Sequence, residues 1–181
     1  MKRQTGMQTH ADLTDLKRIC QRLADQLQPG DSILLHGPLA SGKTQFVILL
    51  AEALETRDPV TSPTFGLANF YETGSVPILH IDTYRLDSQA EFHQLGLDEY
   101  FDSHIVLVEW GDKVRSDFED PLEITFELGG ESDESGESDE SGEGGEGGDG
   151  SAPKRTLTFE SADPRWLSMV EHALETSQGE G

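Results

Sequence analysis

The chain has little that would tie it to an oxidising compartment, a membrane or a polyanion. Cys20 is the one cysteine among 181 residues, so no internal disulfide can form, and a reducing, cytoplasmic setting is predicted. Apolar runs are interrupted within about ten residues, which is too short to cross a bilayer. Only 13 lysines and arginines oppose 35 acidic residues, for a net charge of −22. Because this charge repels nucleic acids and anionic membranes, contact with a polyanion would need a partner.

The length predicts one domain, because 181 residues bury one sizeable core but hardly two. We expect this domain over residues 12–175, between a flexible polar start at 1–11 and a flexible tail at 176–181. Residues 129–152 form an insert composed almost entirely of Gly, Ser, Asp and Glu, which cannot bury apolar surface and is predicted to be disordered.

Apolar patterning predicts strands that alternate with helices. Asp12 is a candidate N-cap, Ser88 and Glu91 have the spacing of a capping box, and Asp163 precedes a proline at a first helical position. Strands are predicted over 32–36, 65–71, 76–81, 105–108, 122–128 and 156–159, and helices over 13–27, 43–55, from 88 and from 164. This alternation indicates an α/β sheet, mostly parallel, that ends in an antiparallel strand pair.

A phosphate-binding loop is the strongest motif. Residues 37–44 fit the pattern G-x-x-x-x-G-K-[ST] between a predicted strand and a predicted helix, which favours a P-loop NTPase-type three-layer sandwich. Glycine lets the backbone approach the phosphates, amides at the helix N-terminus bind their oxygens, and Lys43 brings a positive charge. Thr44 supplies a hydroxyl for Mg²⁺. The candidate binding residues of this loop are Gly37, Leu39, Ala40, Ser41, Gly42, Lys43 and Thr44.

Two carboxylates stand at the ends of apolar strands. Asp82 follows the run from Ile78 to Ile81, and Glu109 follows the run from Ile105 to Val108. Either of them could be the acid that a magnesium-dependent NTPase requires beside its phosphate loop. No Asn-Lys-x-Asp segment occurs, so adenine is favoured over guanine, and the cofactors are expected to be ATP and Mg²⁺.

Several segments together resemble the TsaE (YjeE) family, the ATPase component of bacterial machinery that makes threonylcarbamoyladenosine in tRNA. In order, and at the family's spacing, they are the phosphate loop, Thr61-Ser62-Pro63-Thr64-Phe65, His80-Ile81-Asp82-Thr83-Tyr84-Arg85-Leu86, Leu95-Gly96-Leu97-Asp98-Glu99-Tyr100-Phe101 and Val108-Glu109-Trp110. The chain departs from the family pattern at Leu16, Pro38, Ala40 and Gly111, where the family usually has Thr, Asp, Gly and Pro.

The resemblance implies particular roles. Thr44 and Glu109 would hold magnesium, Asp82 would be an essential acid that positions water or the metal's surroundings, and Trp110 would matter for turnover or partner contact. The loop containing Thr64 resembles a switch that faces the γ-phosphate. Lys43, Asp82 and Glu109 are therefore the candidate catalytic residues, with Thr64 and Trp110 as further nucleotide contacts.

The resemblance also implies a partner, the TsaB–TsaD heterodimer, on which slow ATP hydrolysis would become faster. tRNA would be reached only through these partners, and neither DNA nor a membrane is expected as a partner. Two alternatives remain open: a small-molecule P-loop kinase, although no arginine-rich lid segment is present, and a binding module gated by nucleotide in which turnover is incidental.

Overall fold

A computed structural model describes residues 5–74, 76–128 and 155–175. The described residues form one seven-stranded sheet in the order β1-β7-β6-β2-β5-β4-β3. The strands are β1 (Thr5–Ala11), β2 (Ser32–His36), β3 (Ala68–Tyr71), β4 (Ile78–Asp82), β5 (Ile105–Glu109), β6 (Leu122–Leu128) and β7 (Arg155–Ser161). The α-helices are α1 (Leu13–Ala24), α2 (Lys43–Ala53), α3 (Gln89–Gln94) and α4 (Pro164–Glu175), with 3₁₀ helices at Leu97–Tyr100 and Gly111–Asp117.

The centre of the sheet is parallel and its edges are antiparallel. Strands β6, β2, β5 and β4 run parallel, while β3 pairs antiparallel with β4, and β7 with β6 and β1. The mixed α/β class, the mostly parallel centre and the antiparallel pair of β6 and β7 agree with the sequence-based expectation. In a parallel arrangement the carboxyl ends of β2, β4 and β5 lie at one edge, where a ligand can reach the loops that follow them.

Helical segments cover both faces of the sheet, which explains the continuous burial of the central strands. One core joins α1, α2 and α4 to residues such as Ile33, Leu35 and Phe126. The other packs Phe92 of α3 and the 3₁₀ helices against the opposite face, which includes Leu34. Neighbouring residues of β2 thus point into different cores, as the two-residue repeat of a strand requires.

The helices begin where their capping residues predicted. The Asp12 carboxylate accepts hydrogen bonds from the Thr14 and Asp15 amides, and Asp15 bonds back to the Asp12 amide at 3.3 Å. At α4, Asp163 accepts from the Arg165 amide at 2.9 Å. Helix α1 ends at Ala24, earlier than expected, although Leu27 still packs in the core.

Two strands begin later than predicted, for local reasons. The amide of Leu67 bonds to the Pro63 carbonyl at 2.6 Å and Leu67 has a φ of +67°, so a turn delays β3 until Ala68. Strand β4 begins at Ile78 because Pro77 has no amide hydrogen to donate to a ladder.

The predicted flexible start at 1–11 is wrong over residues 5–11. These residues form strand β1, an edge strand that pairs with the whole of β7, from Thr5 opposite Ser161 to Ala11 opposite Arg155. An edge strand is paired on one side only and tolerates polar residues, so its pattern is too weakly apolar to be distinguished from a loop. Its pairing depends on a strand about 150 positions away, which local patterning cannot indicate.

The predicted insert at 129–152 and the predicted tail at 176–181 lie outside the described residues. Within the described ranges, none of the helices is both long enough and apolar enough to cross a bilayer.

Candidate functional site

The phosphate loop joins the end of β2 to the start of α2. Gly37 has a φ of +126°, and a Cβ atom there would lie 2.3 Å from the Phe126 carbonyl oxygen of β6. Gly42, the N-cap of α2, has a φ of +108°. Both glycines of the motif therefore have backbone conformations in which a side chain would cause strain. At Gly37 the neighbouring strand β6 also leaves no space for a side chain.

The middle of the loop combines exposed and buried residues. Leu39 is 71% exposed, whereas Ser41 is fully buried. Ala40 has a φ of +61°, the left-handed region that favours glycine. The family that the sequence resembles usually has glycine at this position, which this backbone conformation favours.

Lys43 is folded back onto its own loop. Its ammonium group donates to the carbonyl oxygens of Gly37 and Pro38 at 2.8 Å each, and it lies 3.9 Å from the centre of the Trp110 ring. Burial lowers the pKa of Lys43, and the negative charges of Glu109 and Asp82 oppose that change. The three partners hold the ammonium at the mouth of the loop, where a phosphate would meet it.

The two predicted acids lie side by side at the sheet's carboxyl edge. Asp82 is the last residue of β4 and Glu109 the last residue of β5, and they are direct partners in the parallel register. Both are buried, with 3% and 4% exposure respectively. Their position at the strand ends beside the phosphate loop agrees with the sequence analysis.

Glu109 contacts the phosphate-loop helix directly. The Thr44 hydroxyl donates to Glu109 at 2.8 Å from Oε1 and 3.0 Å from Oε2. The fully buried His80 lies with Nε2 at 3.0 Å from the same Oε1. Since the carboxylate is held from two directions, its orientation toward the loop is fixed before any ligand arrives.

Asp82 is held by a different loop. The Thr64 hydroxyl donates to Asp82 Oδ2 at 2.6 Å, and the Tyr84 amide donates to Oδ1 at 2.8 Å. The hydroxyl oxygens of Ser62 and Thr64 lie 2.7 Å apart. The predicted switch-type loop is thus connected to Asp82 through a short hydrogen bond, while Thr44 is connected to Glu109.

Trp110 is held in an unusual backbone conformation directly after Glu109. Its φ of +63° lies in the left-handed region, which is rare for a bulky residue. Its carbonyl accepts the Thr83 hydroxyl at 2.6 Å, and its ring lies 4.9 Å from that of Tyr84. This conformation lets the indole ring face Lys43, and such outliers concentrate at functional sites.

A pocket of about 340 Å³ opens over these residues. It brings together most of the predicted nucleotide contacts, and Gly37 and Asp82 lie just beyond its lining. The lining residues are Leu39, Ala40, Ser41, Gly42, Lys43, Thr44, Gln45, Ser62, Thr64, Glu109, Trp110 and Arg155. Its volume lies at the lower end of the range that small-molecule sites occupy.

A sequence profile of the family "Threonylcarbamoyl adenosine biosynthesis protein TsaE" matches residues 10–137. The chain belongs to the TsaE family. The match extends over more than half of the sequence and includes the phosphate loop, both strand-end acids and Trp110.

Known TsaE proteins of two bacteria show the same relationship. The chain is 36% identical over 121 residues to the tRNA threonylcarbamoyladenosine biosynthesis protein TsaE of Bacillus subtilis. The aligned region covers 66% of this chain and 75% of the relative. The chain is 34% identical over 116 residues to TsaE of Rickettsia felis, which covers 63% of this chain and 68% of that protein. The crystal structure of Bacillus subtilis YdiB superposes with a TM-score of 0.64 at 26% identity and covers 98% of both chains.

Sequence reasoning missed three residues of this TsaE-family site, namely Gln45, which directly follows the motif, His80 and Arg155. His80 lies two positions before Asp82 in β4. Because every second side chain of a strand lies on the same face, the sequence pattern places both residues on one face. Arg155 enters the pocket from β7, on the far side of the insert, and no local signal connects it with the phosphate loop.

The oxygen ligands at the pocket are too few to hold a metal ion by themselves, but they suit Mg²⁺ that also binds phosphates and water. Among the described residues, no group of three or more His, Cys, Asp or Glu side chains is arranged to hold a metal ion. Mg²⁺ in phosphate-binding sites needs only one or two protein oxygens, with phosphates and water completing its coordination. The Thr44 hydroxyl and the Glu109 carboxylate, 2.8 Å apart at the pocket, provide such a pair.

Proposed function

We propose that this TsaE-family protein binds ATP and Mg²⁺ at the phosphate loop and hydrolyses ATP as a component of the complex that makes threonylcarbamoyladenosine in tRNA. In this proposal the fold is a P-loop NTPase-type three-layer sandwich, and the chain acts as a single domain. The family membership supports the pathway, and the geometry of the pocket supports the chemistry.

The hydrogen bond between Thr44 and Glu109 carries the proposal. It joins the last residue of the phosphate-loop motif to a strand-end acid 65 positions away, at 2.8 Å. A P-loop threonine and a neighbouring carboxylate are the protein groups that hold Mg²⁺ in P-loop NTPases. An ordinary strand-to-helix turn has no need of a buried acid aimed at its threonine hydroxyl.

The loop, Lys43, Asp82 and Thr64 have distinct roles in the proposed hydrolysis. The amides of the loop and the N-terminus of α2 bind phosphate oxygens, and Lys43 leaves the carbonyls of Gly37 and Pro38 to neutralise the phosphates. Asp82 orients water or the surroundings of the metal, and the Thr64 hydroxyl transmits the position of its loop to that acid. Mg²⁺, held by Thr44 and Glu109, would supply positive charge against the β- and γ-phosphates.

We propose the TsaB–TsaD heterodimer as the partner on which this ATPase acts, in the cytoplasm. Catalysis by a small P-loop protein depends on positioning and charge stabilisation, so turnover alone would be slow and docking would order the missing groups. With a net charge of −22 the chain repels tRNA, which supports contact with tRNA only through the partner. Neither DNA nor a membrane is proposed as a partner.

The test is Mg-dependent ATP hydrolysis by the purified chain, measured alone and with purified TsaB–TsaD, with Lys43→Ala as the control. We expect slow basal turnover, stimulation by the heterodimer and loss of both in the variant. Absence of ATP binding, or fast turnover that the partner does not change, would contradict the proposal. Phosphate transfer to an added nucleoside or sugar would favour the kinase alternative.

Glu109→Ala separates the ATPase from a binding module gated by nucleotide. If hydrolysis drives each round of modification, a variant that binds ATP without hydrolysing it should fail to support tRNA modification in a reconstituted assay. Full modification by that variant would favour the binding module, because bound nucleotide alone would then be sufficient.

A further inference from the structure

Arg155 is the one pocket residue supplied from the far side of the insert. It is the first residue of β7, where its backbone lies between Ala11 of β1 and Leu128 of β6. Its guanidinium packs against Gly42, because a Cβ atom added at Gly42 would lie 2.8 Å from Arg155 Nη1 and 3.1 Å from Cζ. The sheet thus brings a permanent positive charge to the start of α2.

Arg155 forms no ion pair with a carboxylate of the described residues. Other half-buried arginines of the described chain have such partners: Arg115 lies 2.5 Å from Glu123, and Arg165 lies 2.6 Å from Asp31. Arg155 is also half-buried but has no corresponding ion pair in the parts of the chain that the structure describes. The half-buried arginine that lines the pocket is therefore the one without an ion pair to a described carboxylate.

The position of Arg155 is unfavourable without an anion. The N-terminus of α2 carries a partial positive charge from its unsatisfied amides, and a guanidinium beside it is repelled. An anion between the amides and the guanidinium would turn this repulsion into attraction from both sides. The arrangement therefore suits a phosphate group over Gly42.

The direction of approach distinguishes among the phosphates. Glu109, which contacts Thr44, lies on β5, and Asp82 lies on β4. Both acids are therefore on the same side of β2 in the sheet. Arg155 reaches the loop from β7, which lies beyond β6 on the opposite side of β2. The acids mark the end where the γ-phosphate reacts, so Arg155 faces the end away from the reaction.

We propose that Arg155 is a nucleotide-binding residue that contacts the α- and β-phosphates, which ADP and ATP share, and thereby sets the affinity for both. This inference rests on the proposed function, because it requires that the loop bind a nucleotide. It assigns Arg155 to ground-state binding and not to stabilisation of the transferred phosphate.

Isothermal titration calorimetry on the full chain, with ADP and with a non-hydrolysable ATP analogue in the presence of Mg²⁺, tests the proposal. Arg155→Gln should weaken the binding of both ligands by a similar factor of about ten or more, the usual effect of losing a hydrogen bond to a charged group. Arg22→Gln, on an exposed position of α1, removes the same charge and should leave both affinities unchanged. In steady-state hydrolysis, Arg155→Gln should raise KM and leave kcat within about twofold.

Three results would overturn the assignment: ADP affinity of Arg155→Gln close to wild type, a loss confined to the ATP analogue, or a fall in kcat without a change in KM. Wild-type protein that binds neither nucleotide would overturn the proposed function as well, so the two failures are distinguishable. If Arg155→Gln does not fold, the Arg155→Lys variant tests the assignment instead. Lysine keeps the charge but loses the planar fork, so folded protein with weaker ADP binding supports the assignment and unchanged binding overturns it.

Discussion

The Thr44 hydroxyl and the Glu109 carboxylate are joined by a hydrogen bond of 2.8 Å across 65 positions of the chain. Helix α2 brings the hydroxyl and strand β5 brings the acid, and His80 holds the same carboxylate oxygen at 3.0 Å. Mg²⁺ held by these two residues would take the place of the hydrogen bond between them. A substitution of Glu109 is therefore the most direct test of the proposed metal site.

Replacing Glu109 by glutamine should separate binding from hydrolysis. The amide keeps the size and one acceptor oxygen for Thr44 but removes the charge, so we expect Mg-dependent ATP hydrolysis to fall by about 100-fold or more. ADP binding measured in EDTA should stay close to wild type, because no metal takes part. The matched control is Glu127→Gln on an exposed position of β6. Unchanged hydrolysis in Glu109→Gln would remove this residue from the site.

Ala40→Gly should stabilise the protein. Ala40 has a φ of +61°, and the left-handed conformation costs a non-glycine residue roughly 1–2 kcal/mol. Glycine removes that strain but gives the unfolded chain more freedom, so we expect a net gain of roughly 0.5 kcal/mol in the free energy of unfolding. Urea denaturation of both proteins measures it. A loss of stability would show that the loop relaxes around alanine in solution.

Gly37→Ala should have the opposite effect in the same loop. A Cβ atom at Gly37 would lie 2.3 Å from the backbone oxygen of Phe126, at a φ of +126°, so the loop or β6 would have to move. We expect a loss of roughly 2 kcal/mol or more in the free energy of unfolding, together with weaker nucleotide binding. Thermal unfolding and ADP titration check this result. Wild-type behaviour would contradict the observed contact between the loop and β6.

Stability should depend on pH through His36. Its ring is buried, with Nδ1 and Nε2 each 3.2 Å from a carboxylate oxygen, of Asp112 and Glu123 respectively. Burial opposes protonation, yet the two acids outweigh it and raise the pKa of His36 above its ordinary value of 6.5. A raised pKa stabilises the fold fully below pH 6.5, and the contribution is lost as the pH rises through the folded-state pKa.

The comparison protein for this pH dependence is His36→Gln, which cannot titrate. Denaturant unfolding of both proteins at several values from slightly acid to mildly alkaline pH should show the stability of wild type falling relative to the variant. The difference should be largest at the acid end of that window. A difference that does not change with pH would show that the pKa of His36 is the same in the folded and the unfolded protein.

Deleting residues 130–149 should leave nucleotide binding unchanged. The deleted residues are only Gly, Ser, Asp and Glu, and strands β6 and β7 are held by their own ladder from Glu123 opposite Glu160 to Leu128 opposite Arg155. Closing a shorter connection on folding costs less conformational entropy, so the free energy of unfolding should rise by about 1 kcal/mol. ADP titration and urea denaturation measure both effects. A large loss of affinity would give the insert an active role.

Much of the site could be predicted because its residues lie in short local patterns. The loop from Gly37 to Thr44, the strand ends at Asp82 and Glu109, and the N-caps Asp12 and Asp163 all depend on neighbours in sequence. Turns and prolines shifted the strand boundaries by two or three residues, because ladder hydrogen bonds need a free amide in extended backbone.

The sequence by itself determined the strand–loop–helix context of the phosphate loop, the acids at two strand ends and the mostly parallel α/β class, since hydrophobic periodicity and capping act over a few residues. The tertiary structure alone decided that Thr5–Ala11 is an edge strand, that His80 holds Glu109, and that Arg155 lies against Gly42. These relationships depend on which strands become neighbours in the sheet. That choice is made by packing and by ladder pairing between distant segments, and a local pattern contains no record of it.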